Sequence, residues 1–139
     1  MINSVVLRFY LLGGMLVTVG CGGSGLVSVK GKVTYEDQPV TSGTINFISE
    51  AGSSYGELKP DGSYELMTNA PGDGAMPGPY KVTVIAMQDQ GTALPEAKNP
   101  LPPPTVPLKY TSLATTDLTA TVENKDNVIN FQLTGKLGK

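Results

Sequence analysis

The chain has 139 residues, with 10 lysines and arginines against 12 aspartates and glutamates and a formal net charge of -2. This length predicts one domain, and the balanced charge offers no basic face, so we expect no nucleic-acid partner. The absence of histidine removes the usual general base and the commonest metal ligand. The single cysteine excludes an internal disulfide. We therefore expect a non-enzymatic protein with no catalytic residue, no metal and no cofactor.

Residues 1–20 have the features of a signal peptide. Arg8 and the amino terminus supply a weakly positive start, and Phe9–Val19 follows as an apolar run. This run is shorter than the roughly 20 apolar residues that a membrane-spanning helix needs. Its length suits the apolar core of a signal sequence, which is removed from the mature protein.

The segment VGCGGSG contains the only cysteine, Cys21. An apolar run followed by a small residue, a cysteine and a Gly/Ser stretch resembles the lipobox of bacterial lipoproteins. The resemblance implies cleavage between Gly20 and Cys21 and a diacylglycerol on the Cys21 thiol, with residues 21–26 as a flexible tether to the membrane. Lipoboxes usually carry leucine where this chain has Thr18, so the motif departs from the pattern there. Gly22 in place of aspartate is compatible with sorting to the outer membrane.

The same stretch matches G-x-G-x-x-G at Gly20, Gly22 and Gly25. A dinucleotide loop needs a helix after the glycines, but the residues that follow, LVSVKGKVTY, alternate like a strand. The context therefore argues against nucleotide binding. Two other interpretations stay open, a signal anchor with a buried cysteine and a plain secretory signal with an unmodified thiol.

From Val27 onward, apolar residues recur at every second position, which indicates short half-buried strands. The turn signal Pro60-Asp61-Gly62 predicts a hairpin between Tyr55–Leu58 and Ser63–Thr68. About seven such strands and no helical periodicity predict an all-β fold, an antiparallel seven-stranded β-sandwich over residues 27–135. The positions expected to face inward are Val27, Val29, Val33, Tyr35, Ile45, Phe47, Tyr64, Leu66, Tyr80, Val82, Val84, Ala86, Leu118, Ala120, Val122, Ile129, Phe131 and Leu133.

Residues 88–116 interrupt the strand pattern with six prolines. Proline cannot donate to a strand ladder, so a long loop with local polyproline II conformation is expected there. One interpretation is a docking segment for a partner with an aromatic groove. The other, which we favour because Pro-rich connections are common, is a solvated excursion that packs along one edge of the sandwich.

The strand pattern also resembles a known family, the carboxypeptidase regulatory-like domains. VKGKVTYEDQPVTSGTINFI is similar to the opening of that domain at Gly31, Pro39, Gly43 and Phe47, and KPDGSYEL and PGPYKVTV are similar to its later hairpin and strand. The match covers about residues 27–133, and the tail is similar to small bacterial lipoproteins that carry this domain. The resemblance implies a transthyretin-like, or prealbumin-like, sandwich, and it implies no activity.

Two enzyme classes near this fold, zinc carboxypeptidases and hydroxyisourate hydrolases, depend on histidines that the chain lacks. Tyr55 and Tyr110 are predicted at strand edges or in loops and are the candidate ligand contacts. We expect a membrane-anchored lipoprotein of a bacterial cell envelope that makes structural or adhesive contacts with an envelope protein or a glycan. The alternative is a carbohydrate- or peptide-binding accessory module of the envelope.

Overall fold

A computed structural model describes residues 25–88 and 103–138, and these residues form two open β-sheets. No α-helix occurs in these two ranges, so the predicted all-β class is confirmed. One 3₁₀ turn spans Leu108–Thr111. The strands are β1 (Val29–Tyr35), β2 (Gln38–Pro39), β3 (Thr44–Ser49), β4 (Gly52–Glu57), β5 (Ser63–Glu65), β6 (Gly78–Ile85), β7 (Thr119–Val122), β8 (Asn127–Val128) and β9 (Phe131–Leu133).

The four-stranded sheet is regular, with strand order β4-β3-β6-β7 and antiparallel pairing throughout. Along its strands buried residues alternate with more exposed ones, except that Thr83 of β6 is also buried. Ile45 and Phe47 of β3 lie opposite Val84 and Val82 of β6, and all four side chains are fully buried.

The second sheet, called the β1 sheet below, is built around β1. Lys30 pairs with Glu65 of β5 on one side and with Val128 of β8 on the other. β2 and β5 run antiparallel to β1, whereas β8 and β9 run parallel to it. The prediction of a purely antiparallel sandwich is therefore wrong for this sheet. After β7, residues 123–126 carry the chain across to the start of β1, and the last strands then run in the same direction as the first.

The described residues contain nine strands, where the sequence predicted about seven. The predicted strand Val128–Leu133 is divided at Ile129 and Asn130 into β8 and β9. At this interruption the Oδ1 atom of Asn130 accepts a hydrogen bond from the Lys32 N–H at 2.9 Å, so a side chain replaces the backbone carbonyl. The other additional strand, β2, consists of Gln38 and Pro39, which pair with Tyr35 and Thr34 of β1.

The Asp61-Gly62 turn forms as predicted, with Gly62 at a φ of 79° and Asp61 Oδ1 accepting the Ser63 N–H at 3.0 Å. The strands on either side, however, belong to different sheets, and they meet in a single isolated bridge between Tyr55 and Met67. The predicted hairpin is therefore wrong. An Asp-Gly signal specifies the local backbone and leaves open which strand the chain pairs with next.

The core lies between the two sheets and is centred on Phe47, whose ring centroid is 5.8 Å from that of Tyr80, 5.9 Å from that of Phe131 and 6.1 Å from that of Tyr64. Every residue predicted to face inward is either buried in this core or packed against it. The described end of the Pro-rich segment, residues 103–116, also contributes to it. Its Thr116 hydroxyl donates to the Val82 carbonyl at 2.7 Å, so this part packs against β6.

Candidate functional site

The predicted cleavage and lipidation positions, Gly20 and Cys21, lie outside the described residues, which begin at Gly25. The first residue bonded into the fold is Val27, whose N–H and carbonyl pair with the carbonyl and N–H of Ala75 at 2.9 and 3.0 Å. The signal peptide and the tether therefore stay predictions. None of the helical segments in residues 25–88 and 103–138 has the length and apolar character to cross a membrane.

Tyr55 lies on β4, the edge strand of the four-stranded sheet, and is 46 % exposed. Its neighbours Ser54 and Gly56 are buried, so the Tyr55 ring stands on the outward face of the sheet. The backbone at this point pairs on one side with Asn46 and forms the bridge to Met67 on the other. Tyr55 therefore presents an accessible aromatic ring on a backbone that is hydrogen-bonded on both sides.

Tyr110 was predicted as an exposed ligand contact, and this prediction is wrong because its side chain is only 2 % exposed. The 3₁₀ turn directs it inward, where its hydroxyl donates to the Thr134 carbonyl at 3.0 Å and accepts from the Thr134 N–H at 3.1 Å. Lys109 covers the ring, with Nζ 4.5 Å from its centroid. No regular pattern in the sequence indicates this inward position, because Tyr110 follows a proline-rich stretch.

A groove of about 770 Å³ lies on the outward face of the four-stranded sheet. Its floor is formed by side chains of three neighbouring strands, because the register places Ile48 opposite Lys81 and Lys81 opposite Thr119. The turn between β3 and β4 forms one wall, and Leu113 forms another. Lys81 Nζ donates to the Leu113 carbonyl at 3.2 Å and so links this wall to the floor.

The groove combines several kinds of group that can contact a ligand. It offers apolar contact at Ile48 and Leu113, threonine hydroxyls from β7, and one charge of each sign at Lys81 and Glu50. Tyr55 stands on the same face, two residues along β4 from the partner of Ile48. The sequence predicted Tyr55 but missed the groove, because the Leu113 wall comes from a segment with no regular pattern.

The two carboxyl groups whose pKa values are lowered among the described residues, those of Asp61 and Asp73, lie in turns or loops and accept local hydrogen bonds. Asp73 accepts the backbone N–H groups of Thr68, Asn69 and Ala70 at 2.6, 2.9 and 2.9 Å. These bonds, with the one from Thr68 foremost, hold the pKa of the Asp73 carboxyl below its usual value. Within the part of the chain that the structure describes, no group of three or more cysteine, aspartate or glutamate residues is placed to hold a metal ion.

We compared the chain with protein-family models, with curated proteins and with solved structures, and none of the three comparisons gave a match. The resemblance to carboxypeptidase regulatory-like domains therefore depends on the motifs in the sequence.

Proposed function

We propose that the protein is a lipid-anchored, non-enzymatic component of a bacterial cell envelope that displays its β-sandwich for structural or adhesive contacts. The observation that carries the proposal is the position of Cys21. It follows an apolar run and a small residue, and it precedes Val27, the first residue bonded into the fold, by six positions. A tether of this length spans at most about 20 Å, so a lipid on Cys21 would hold the sandwich close to the membrane surface.

We also propose that the fold is a transthyretin-like sandwich of the carboxypeptidase regulatory-like type. Three features support this assignment: Gly31 lies within β1, the Asp61-Gly62 turn precedes β5, and PGPYKVTV forms most of β6. If β8 and β9 are counted as one interrupted strand and the two-residue β2 as part of its turn, seven strands result.

The contact surface in this proposal is the outward face of the four-stranded sheet. Tyr55 and the groove share this face, and together they provide an exposed ring, apolar side chains and hydroxyl groups. A segment of an envelope protein or a glycan chain would fit such a surface, because both kinds of partner combine apolar faces with hydrogen-bonding groups.

The anchor is tested by intact mass spectrometry of the protein extracted from membranes, comparing the natural chain with Cys21→Ser and with the matched control Ser24→Ala. We expect the natural chain and Ser24→Ala to begin at Cys21 and to carry a diacylglycerol, whereas Cys21→Ser carries none. An unmodified mass for the natural chain would overturn the lipoprotein assignment and leave residues 22–25 as a joint between a signal sequence and the sandwich.

A second candidate function is a carbohydrate- or peptide-binding accessory module, which is favoured by the exposure of Tyr55 on a hydrogen-bonded strand. Binding to a glycan array or to envelope peptides should be lost in Tyr55→Ala and kept in Ile85→Ala, which removes an exposed side chain from the same sheet. Equal binding by both variants would show that the ring is not the contact. Tyr110→Ala is unsuitable for this test because it removes a buried side chain.

A further inference from the structure

A second concavity, of about 420 Å³, lies on the outward face of the β1 sheet. Lys30, Lys32, Lys59, Ser63, Glu65 and Asn130 line it, and Val128 stands at its side with 77 % of its surface exposed. It lies next to the interruption between β8 and β9. The register with β1 is the same on both sides of this interruption, since Lys30 lies opposite Val128 and Val33 lies opposite Phe131. We call this concavity the lysine pocket.

Asn130 has a fixed orientation in the lysine pocket. Its Oδ1 atom accepts the Lys32 N–H at 2.9 Å, and this bond assigns the two ends of the carboxamide. The Nδ2 group, which carries two donors, is therefore on the opposite branch and available to an acceptor in the pocket. Ser63 is also held in place, because its N–H donates to Asp61 at 3.0 Å.

Three lysines line the lysine pocket. Lys30 forms an ion pair with Glu65 at 3.2 Å, while Lys32 and Lys59 take part in no ion pair with any residue that the structure describes. Both are close to Ser63, since Lys32 lies opposite it in the register and the Lys59 N–H donates to its carbonyl at 2.9 Å. With Glu65 and Asp61 counted against the three lysines, the pocket and its rim carry one net positive charge.

We propose that the lysine pocket binds a sugar that carries one phosphate group. Lysine ammonium groups bind phosphate as point charges. The two lysines without an ion-pair partner among the described residues, Lys32 and Lys59, match the charge of about -1.5 to -2 that a phosphate monoester carries at pH 7. The volume admits a single sugar ring, for which Asn130 supplies donors and the exposed Val128 supplies an apolar contact. The site is on the other sheet from the groove and does not depend on the proposed lipid anchor.

The test is a titration of the full chain, in a neutral detergent, with glucose 1-phosphate, followed by the NMR signals of the Lys32, Ser63 and Asn130 amides. Glucose and inorganic phosphate serve as the neutral and sugar-free probes. We expect a saturable shift with a Kd on the order of 1 mM for the sugar phosphate, weakening as salt rises. The double variant Lys32→Gln/Lys59→Gln should weaken binding about tenfold.

Two control variants separate a local site from a general charge effect. Lys81→Gln/Lys136→Gln removes the same charge elsewhere and should change the Kd less than about twofold, because exposed charges this far apart are screened. Lys32→Arg/Lys59→Arg keeps both charges and should keep binding. Three outcomes would each overturn the proposal. They are an equal loss of affinity for glucose 1-phosphate in the two glutamine variants, an affinity for inorganic phosphate equal to that for glucose 1-phosphate, and binding only to phosphatidylglycerol vesicles.

Discussion

The two sheets of the sandwich are built in different ways. In the four-stranded sheet, β3, β4 and β6 have six to eight residues each, and backbone pairs run along their length. In the β1 sheet, one seven-residue strand is flanked by four strands of two or three residues. Short strands leave backbone groups that the ladder does not satisfy, and side chains have to supply the missing partners.

Polar side chains around the β1 sheet accept hydrogen bonds from backbone N–H groups that the strand ladder leaves without a partner. Asn130 Oδ1 accepts the Lys32 N–H at 2.9 Å, and Asn127 Oδ1 accepts the Glu123 N–H at 2.9 Å in the turn that leads into β8. The four-stranded sheet depends chiefly on apolar burial, whereas the β1 sheet depends also on single polar contacts. The two sheets should therefore respond to different substitutions.

The largest effect is expected where the two sheets meet. Phe47→Ala removes the ring that contacts aromatic residues of both sheets, and we expect it to lower the free energy of unfolding by about 4 kcal/mol. Ile85→Ala, on an exposed position of the same sheet, should cost less than about 1 kcal/mol. Denaturant unfolding measures both, and two separate transitions in Phe47→Ala would contradict a single shared core.

A smaller loss, confined at first to the β1 sheet, is expected for Gly31→Ala. A Cβ at this position would lie 1.7 Å from the Ile129 carbonyl oxygen, so the backbone of β1 or of the link between β8 and β9 must move. We expect this to lower the free energy of unfolding by about 3 kcal/mol. In Gly138→Ala the nearest atoms belong to the exposed Leu108 side chain, which can move aside, and little change is expected. Hydrogen exchange should show the Ile129 amide losing protection before those of β3, and the reverse order would refute this account.

Asn130→Ala tests whether the Asn130 side chain takes the place of a backbone carbonyl as the acceptor for the Lys32 N–H. The Lys32 N–H loses its acceptor, and we expect the free energy of unfolding to fall by about 1 kcal/mol. The matched control is Asn124→Ala, on an exposed turn residue. The Lys32 amide should exchange faster in Asn130→Ala alone; unchanged exchange would mean that another group satisfies this N–H.

The mildest effect is expected from Asp73, in the loop that connects the two sheets, and only in acid. Its folded-state pKa is lowered by the Thr68, Asn69 and Ala70 N–H groups, so its stabilising contribution is complete above the unfolded value of about 3.9. This contribution is lost as pH falls through the folded-state pKa. The unfolding temperature should therefore fall less steeply between pH 6 and pH 2 in Asp73→Asn than in the natural chain or in the control Asp126→Asn. Parallel curves of unfolding temperature against pH would contradict this role of Asp73.

The sequence predicts the inward faces well, because alternation over several residues fixes which side chains are buried. Phe47 and Val82 are examples, and their positions needed no knowledge of strand order. It fails where pairing depends on distant residues, as in the parallel direction of β8 and the separation of β4 from β5. Of the two tyrosines proposed as contacts, Tyr55 is exposed and Tyr110 is buried. The difference arises because β4 has a regular alternation whereas Tyr110 follows a proline-rich stretch without one.

The pairing of the first strand with the last also bears on when the protein can fold. The bond between Lys32 and Asn130 joins residues 98 positions apart, and β9 completes the edge of β1 only near the carboxyl end of the chain. Contacts between such distant segments form slowly, because a long loop must close first. During synthesis β1 can pair with β2 and β5, but it lacks β8 and β9 until they have also been made. β1 therefore gains its full set of backbone partners only after the other strands of the described fold have been synthesised.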